Sequence, residues 1–174
     1  MSTFFIQGCA SDSDVSIQYF ENINSSIEEI IILDDKIQHS ILSFLETNEN
    51  NSENLQISDS ILIEKLDKMI ENLKQRLIIN RLKLEKIEVF NKELSLKRSA
   101  INFIDNYSKV MENEIKVIRN ILNIPFENFT DKDEIQLNNV LDQFNEKLNN
   151  SLNTYYFEVQ IFAKKYDLDI NIEN

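Results

Sequence analysis

A chain of 174 residues with one glycine (Gly8) and one proline (Pro125) has almost no marked turns, where average usage would supply about 20 of the two together. That excludes strand-rich and α/β folds, leaving long helices, and 42% hydrophobic residues are enough to bury a core. The net charge of −12 disfavours a nucleic-acid surface or an anionic membrane as partner, yet it is unevenly spread: residues 1–58 carry 1 base and 10 acids, residues 59–124 carry 13 and 10, and residues 125–174 carry 4 and 10.

Residues 1–12 read as a flexible N-terminus. The stretch MSTFFIQGCAS superficially resembles a lipoprotein cleavage site. It lacks the basic start and the longer apolar core that a signal peptide needs. No run approaches the ~20 apolar residues of a membrane span, and a lone cysteine, Cys9, cannot form an internal disulfide. An intracellular location, cytoplasmic or nuclear, is the expectation.

The first helix is predicted over about 13–47. Phe20, Ile27, Asp34 and Ile41 form one row and Ile23, Ile30, Ile37 and Phe44 the next, the alternation of threes and fours that marks a helical seam. Asp34 is the single polar intruder, either tolerated or paired with a base on the middle helix. The run Ile30-Ile31-Ile32-Leu33 followed by Asp34-Asp35 also looks like a SUMO-interacting motif, which docks as an added strand, but it lies inside the helical periodicity. Ile31 and Leu33 widen the seam. Ile32 is left on the outer row with His39, which reads as a solvated surface residue.

Residues 46–58, polar and rich in Asn and Ser, are expected to form a mobile loop. From about 59 to 124 no glycine or proline intervenes, and one continuous helix of about 66 residues is the preferred reading. Its apolar rows together cover about half the circumference. One holds Leu66, Leu73, Asn80 and Ile87; a second holds Leu82, Val89, Leu96, Phe103 and Val110, with Ile79 beside it. So wide an arc requires at least two flanking helices. The alternative is a break near 91–100 that closes a four-helix bundle.

Pro125 stops this element. Thr130-x-x-Asp133 resembles a capping box and opens a third helix over about 131–166, along Leu137, Phe144, Leu148, Tyr155, Val159 and Phe162. Residues 167–174 form a tail in which Leu168, Ile170 and Ile172 alternate with polar residues, as a frayed end or a docking strand would.

Little chemistry is visible. One histidine is too few for a His-based zinc or di-iron site, and a single glycine excludes calcium loops and phosphate-cradling loops. Cys9 has no designated base. No catalytic, cofactor or metal residues are therefore assigned. The basic run Lys74, Arg76, Arg81, Lys83, Lys86, Lys92, Lys97 and Arg98 is interrupted by Glu85, Glu88 and Glu93 and reads as pairing with the acidic helices on either side. The interface candidates are Ile31, Ile32, Leu33 and Asp34, the aromatic group Tyr155, Tyr156, Phe157 and Phe162, and the tail residues Leu168, Ile170 and Ile172.

The expected architecture is all-α: an elongated antiparallel helical bundle or coiled coil of three long helices in a single helical domain, 13–166. The expected function is that of a non-enzymatic subunit or adaptor. It would assemble with other helical chains, as a hetero- or homo-oligomer, without a small-molecule substrate. The alternative is a helical effector or toxin-like protein that engages a host protein or membrane.

Overall fold

The structure, a computed structural model, describes residues 12–50, 55–125 and 128–170. Among these there are four α-helices and no strand: α1 (Asp12–Asn50), α2 (Leu55–Lys86), α3 (Ser95–Leu122) and α4 (Asp131–Tyr166). α1 continues past residue 47 and α2 begins before residue 59, so helix occupies part of the stretch read as a loop; residues 51–54 lie outside the described residues.

The one continuous helix expected over 59–124 is corrected. The chain breaks after Lys86, passes through a single 3-10 turn at Phe90–Lys92, and restarts at Ser95. Asn91 and Lys92 hold left-handed backbone, with φ of 46° and 60°. Asparagine enters that region more readily than most non-glycine residues, so the turn forms without glycine or proline. The weighed alternative, a break near 91–100, is the one observed, and the helix count is four rather than three.

The corner is fastened from several sides. Lys97 donates to the carbonyl oxygens of Glu85 (2.9 Å) and Ile87 (2.7 Å), the open end of α2. Glu93 receives the Ser95 backbone N–H at 3.1 Å and the Lys165 ammonium at 2.6 Å, while its own carbonyl accepts the Tyr19 hydroxyl at 2.9 Å. Phe90 then meets Tyr19 and Tyr166, and Phe162 meets the same two rings, which closes this end of the bundle with aromatics from α1, the turn and α4.

Side-chain pairs set the topology. Arg76–Glu29 and Lys83–Ser25 make α1 and α2 antiparallel; Arg81–Asp105 and Arg119–Asp67 do the same for α2 and α3; Lys147–Glu114 and Asn106–Ser151 do so for α3 and α4. The result is an up-down-up-down bundle. α1 also reaches α3, through Asp34 and Tyr107, and α4, through Asn24 and Tyr155. At 39 residues, α1 is roughly 58 Å long, so the bundle is elongated.

The core is one cluster running the length of the helices. The α1 seam residues Ile23, Ile27, Ile30, Ile37 and Ile41 are all buried, as is the α4 row from Leu137 to Phe162. α4 opens on the expected cap, where the Thr130 backbone N–H donates to Asp133 Oδ2 at 2.9 Å. It closes with Asp167 in left-handed backbone (φ 53°) and the Leu168 N–H on the Ala163 carbonyl at 2.9 Å, the six-to-one bond of a Schellman end.

Candidate functional site

The interface candidates separate into two groups. Tyr155 and Phe162 are core residues. The Tyr155 hydroxyl donates to Asn24 Oδ1 at 2.9 Å, and its pKa is pushed far up by burial and then by the nearby charges of Tyr156 and Glu28. Ile31, Leu33 and Tyr156 are half-buried against the same core. So are Leu168 and Ile170: the tail turns its apolar residues back onto its own chain. Ile172 lies outside the described residues, as does Cys9.

Asp34 is buried but faces no base. It accepts a short hydrogen bond from the Tyr107 hydroxyl on α3 and a second from Gln38 Nε2 at 2.7 Å. Burial raises its pKa, and the two hydrogen bonds and the Asp35 charge only modify that effect. Burial also raises the pKa of Tyr107, followed by the charge of Asp34. Of the two expectations, a tolerated intruder or a pair with a base on the middle helix, the structure shows no base at Asp34 and supplies a phenol from α3. A second polar layer lies one turn away in the α1–α2 seam, where the buried Asn80 donates to Glu29 Oε2 at 2.8 Å and Arg76 sits on the other oxygen at 3.4 Å.

Ile32 and Phe157 are the candidates that remain outside, 53% and 60% exposed. Beside Ile32, a shallow groove of about 610 Å³ runs between α1 and α2, bordered by His39, Lys65 and Met69. His39 is exposed and donates from Nδ1 to the Asp35 carbonyl at 2.7 Å. Phe157 is followed one turn later by exposed Ile161, among Asn150, Asn153 and Gln160 on the outer side of α4.

The largest outward apolar group was not among the candidates. Ile78, Ile79 and Leu82, between 48% and 62% exposed, form a ridge on α2, with Val89 and Leu94 exposed beside the corner. The signal was present in the sequence as the second apolar row of the middle helix. The break divides that row: Leu96, Phe103 and Val110 are buried, whereas Ile79, Leu82 and Val89 are open to solvent. α3 buries its share of the row inside the bundle, whereas α2, flanked by α1 and α3, leaves its share on the side away from both.

The basic run is only partly spent within the chain. Arg76 pairs with Glu29, Arg81 with Glu85 and Asp105, and Lys97 caps α2. Lys74 and Lys86 make no ion pair among the described residues.

A polar groove of about 510 Å³ separates α3 from α4, where the nearly buried Glu114 meets Lys147 between Asn113 and Asn150. Among the described residues, no set of three or more His, Cys, Asp or Glu side chains is arranged to hold a metal ion. No helix among them is long and apolar enough to cross a membrane. No protein-family model, curated protein or solved structure matches this chain.

Proposed function

We propose that this chain is a non-enzymatic assembly subunit, whose work is to join other helical chains through apolar side chains that its own bundle leaves uncovered. The observation that carries the reading is the divided apolar row of the middle segment, buried on α3 and exposed on α2. Isolated surface leucines and isoleucines are ordinary, but a ridge of three on one helix face is a surface that packing against a further helix would cover. Phe157 and Ile161 on α4 offer a second such place, with an aromatic anchor of the kind enriched at interfaces.

The fold supports this use physically. A buried polar pair, Asp34–Tyr107, and a part-buried one, Glu29–Asn80, fix the register of the helices, so the outward residues are held in a set order along a rigid rod. An acidic surface discourages association with like-charged chains and favours partners with matched charge.

Affinity capture from the native cell tests the reading, using the wild-type chain and a Phe157→Asp, Ile161→Asp double variant. The expected outcome is at least one helical protein recovered in constant ratio with the wild type and reduced at least tenfold with the variant. A chain recovered alone in both captures would contradict it.

A further inference from the structure

We infer that the seam between α1 and α4 is the docking site of a basic amphipathic helix from another protein. The inference rests on the assembly reading and gives the chemistry of one partner. Three of the bundle's seams are tied by ion pairs: Arg76–Glu29 joins α1 to α2, Arg81–Asp105 joins α2 to α3, and Lys147–Glu114 joins α3 to α4. The α1–α4 seam has no ion pair among the described residues. It is held by the Tyr155–Asn24 hydrogen bond and, near the corner, by the Tyr19 and Phe162 rings.

Apolar side chains along this seam are only partly covered. On α1, positions 17, 24, 31, 38 and 42 share one edge by helical spacing. Asn24 marks it as the edge next to α4, because it accepts from Tyr155. Ile31 is half-buried on this edge, and Ile17 and Leu42 are 40% and 54% exposed. On α4, Leu152 and Tyr156 are half-buried on either side of Tyr155. A further helix laid along the seam would cover these side chains, the helix-in-groove mode of recognition. From Ile17 to Leu42 the seam runs roughly 38 Å, the length of a helix of about 25 residues.

Charge selects the kind of helix. Glu21, Glu28 and Asp35 follow at every seventh residue along the outer rim of the α1 edge, roughly 10 Å apart. All three are exposed, and none has an ion-pair partner among the described residues. Glu28 stands close enough to α4 for its charge to add to burial in raising the pKa of Tyr155 and Tyr156. Asp35 stands on the crest between this seam and the α1–α2 groove. The α4 rim carries Asp142 and the carboxamides of Asn149, Asn153 and Gln160.

The bases of these two helices are directed elsewhere. Lys36 and His39 border the α1–α2 groove, Lys147 and Lys165 pair with Glu114 and Glu93, and Lys164 stands at the corner end of the seam. Lysine or arginine at every seventh residue of a partner helix would meet the three carboxylates while its apolar row lies on Ile31, Leu152 and Tyr156. An acidic helix, a nucleic acid or a second copy carrying −12 brings the wrong sign.

The probe is a fluorescein-labelled helical peptide of about 25 residues, with leucine along one row and lysine on both flanks. A peptide with glutamate in place of lysine is its control. Fluorescence anisotropy with the full chain at about 0.15 M salt is expected to show saturable binding of the lysine peptide and none of the glutamate peptide. Glu21→Gln, Glu28→Gln and Asp35→Asn together should weaken that binding at least tenfold. Glu71→Gln, Glu88→Gln and Glu112→Gln together, exposed on α2, the corner and α3, remove the same charge and should change it by less than about twofold. Both triple variants should keep wild-type helicity. Equal weakening by the two sets would show attraction to net charge alone and overturn the inference, as would the lack of saturable binding or binding of the glutamate peptide. A chain that fails here yet captures a helical protein through Phe157 and Ile161 loses this inference and keeps the assembly reading; a chain that fails in both loses both.

Discussion

Tyr107 on α3 donates its hydroxyl hydrogen to the carboxylate of Asp34 on α1, across 73 residues of sequence and inside the core. The pair joins two helices that are not consecutive, and it places a hydrogen-bonded polar group between the buried Ile30 and Ile37 of the α1 seam. A slip of either helix by one turn would leave buried Asp34 with Gln38 of its own helix but without the Tyr107 donor, which is costly in an apolar surrounding.

Removing the donor should therefore hurt more than neutralising the acceptor. Tyr107→Phe leaves a buried carboxylate short of its partner and is expected to cost about 1–3 kcal/mol in urea unfolding at pH 7. Asp34→Asn keeps an acceptor for Tyr107 and removes a buried charge, and it should be at least as stable as the wild type at that pH. Because the folded-state pKa of Asp34 is raised, the folded chain takes up this proton before the unfolded chain does as pH falls. The difference between wild type and Asp34→Asn should shift in favour of the wild type from neutral pH down to the ordinary carboxylate range near 4. A difference independent of pH would show that Asp34 ionises as it would in water.

The corner between α2 and α3 depends on left-handed backbone at Asn91. Asn91→Gly should be tolerated, since glycine adopts that conformation freely. Asn91→Val should cost about 1–2 kcal/mol, because a β-branched residue enters that region far less readily than asparagine, whose short polar side chain can bond locally. In a protein of this size that corresponds to a melting temperature lower by roughly 2–8 °C. Equal melting temperatures for the two variants would mean that the turn does not need the conformation.

Alkali should unfold the bundle through its tyrosines. Burial first, then the Glu93 charge, raises the Tyr19 hydroxyl to about 12, and Tyr107 and Tyr155 are displaced in the same direction. In the unfolded chain these phenols lose their protons near 10. Stability that is whole below pH 10 should therefore fall as pH rises from about 10 to 12. Phenolate absorbance of the buried tyrosines and loss of helical ellipticity should rise together. A complete phenolate titration near pH 10 with helicity intact would contradict the burial of these rings.

Much of the fold was legible in the sequence because helical seams are periodic. Ile23, Ile27, Ile30, Ile37 and Ile41, and the α4 row from Leu137 to Phe162, sit where their spacing places them. The corner was not legible for a physical reason. Scarcity of glycine and proline predicts scarcity of turns, yet Asn91 makes a turn with neither. The apolar rows on either side of residues 87–94 belong to two helices that run in opposite directions.

The candidate residues were legible only in part, because apolar character does not tell inside from outside. Tyr155 and Phe162 were offered as interface and serve the core, while Ile78 and Leu82 lie open. The sequence marks the width of an apolar arc; only the placement of neighbouring helices decides how much of it is covered. Asp34 shows the same limit: its burial followed from the row it occupies, but its partner Tyr107 belongs to a helix whose position depends on the corner.

Assembly through outward side chains is tested most directly by a photo-cross-linking amino acid at position 157, introduced into the otherwise unchanged chain in its native cell and compared with the same group at the exposed polar position 139. The prediction is a discrete cross-linked species at position 157, whose linked peptide maps to a helical segment of another chain or of a second copy, and no such species at position 139. Only un-cross-linked chain at both positions, under conditions in which the group is fully photolysed, would contradict it.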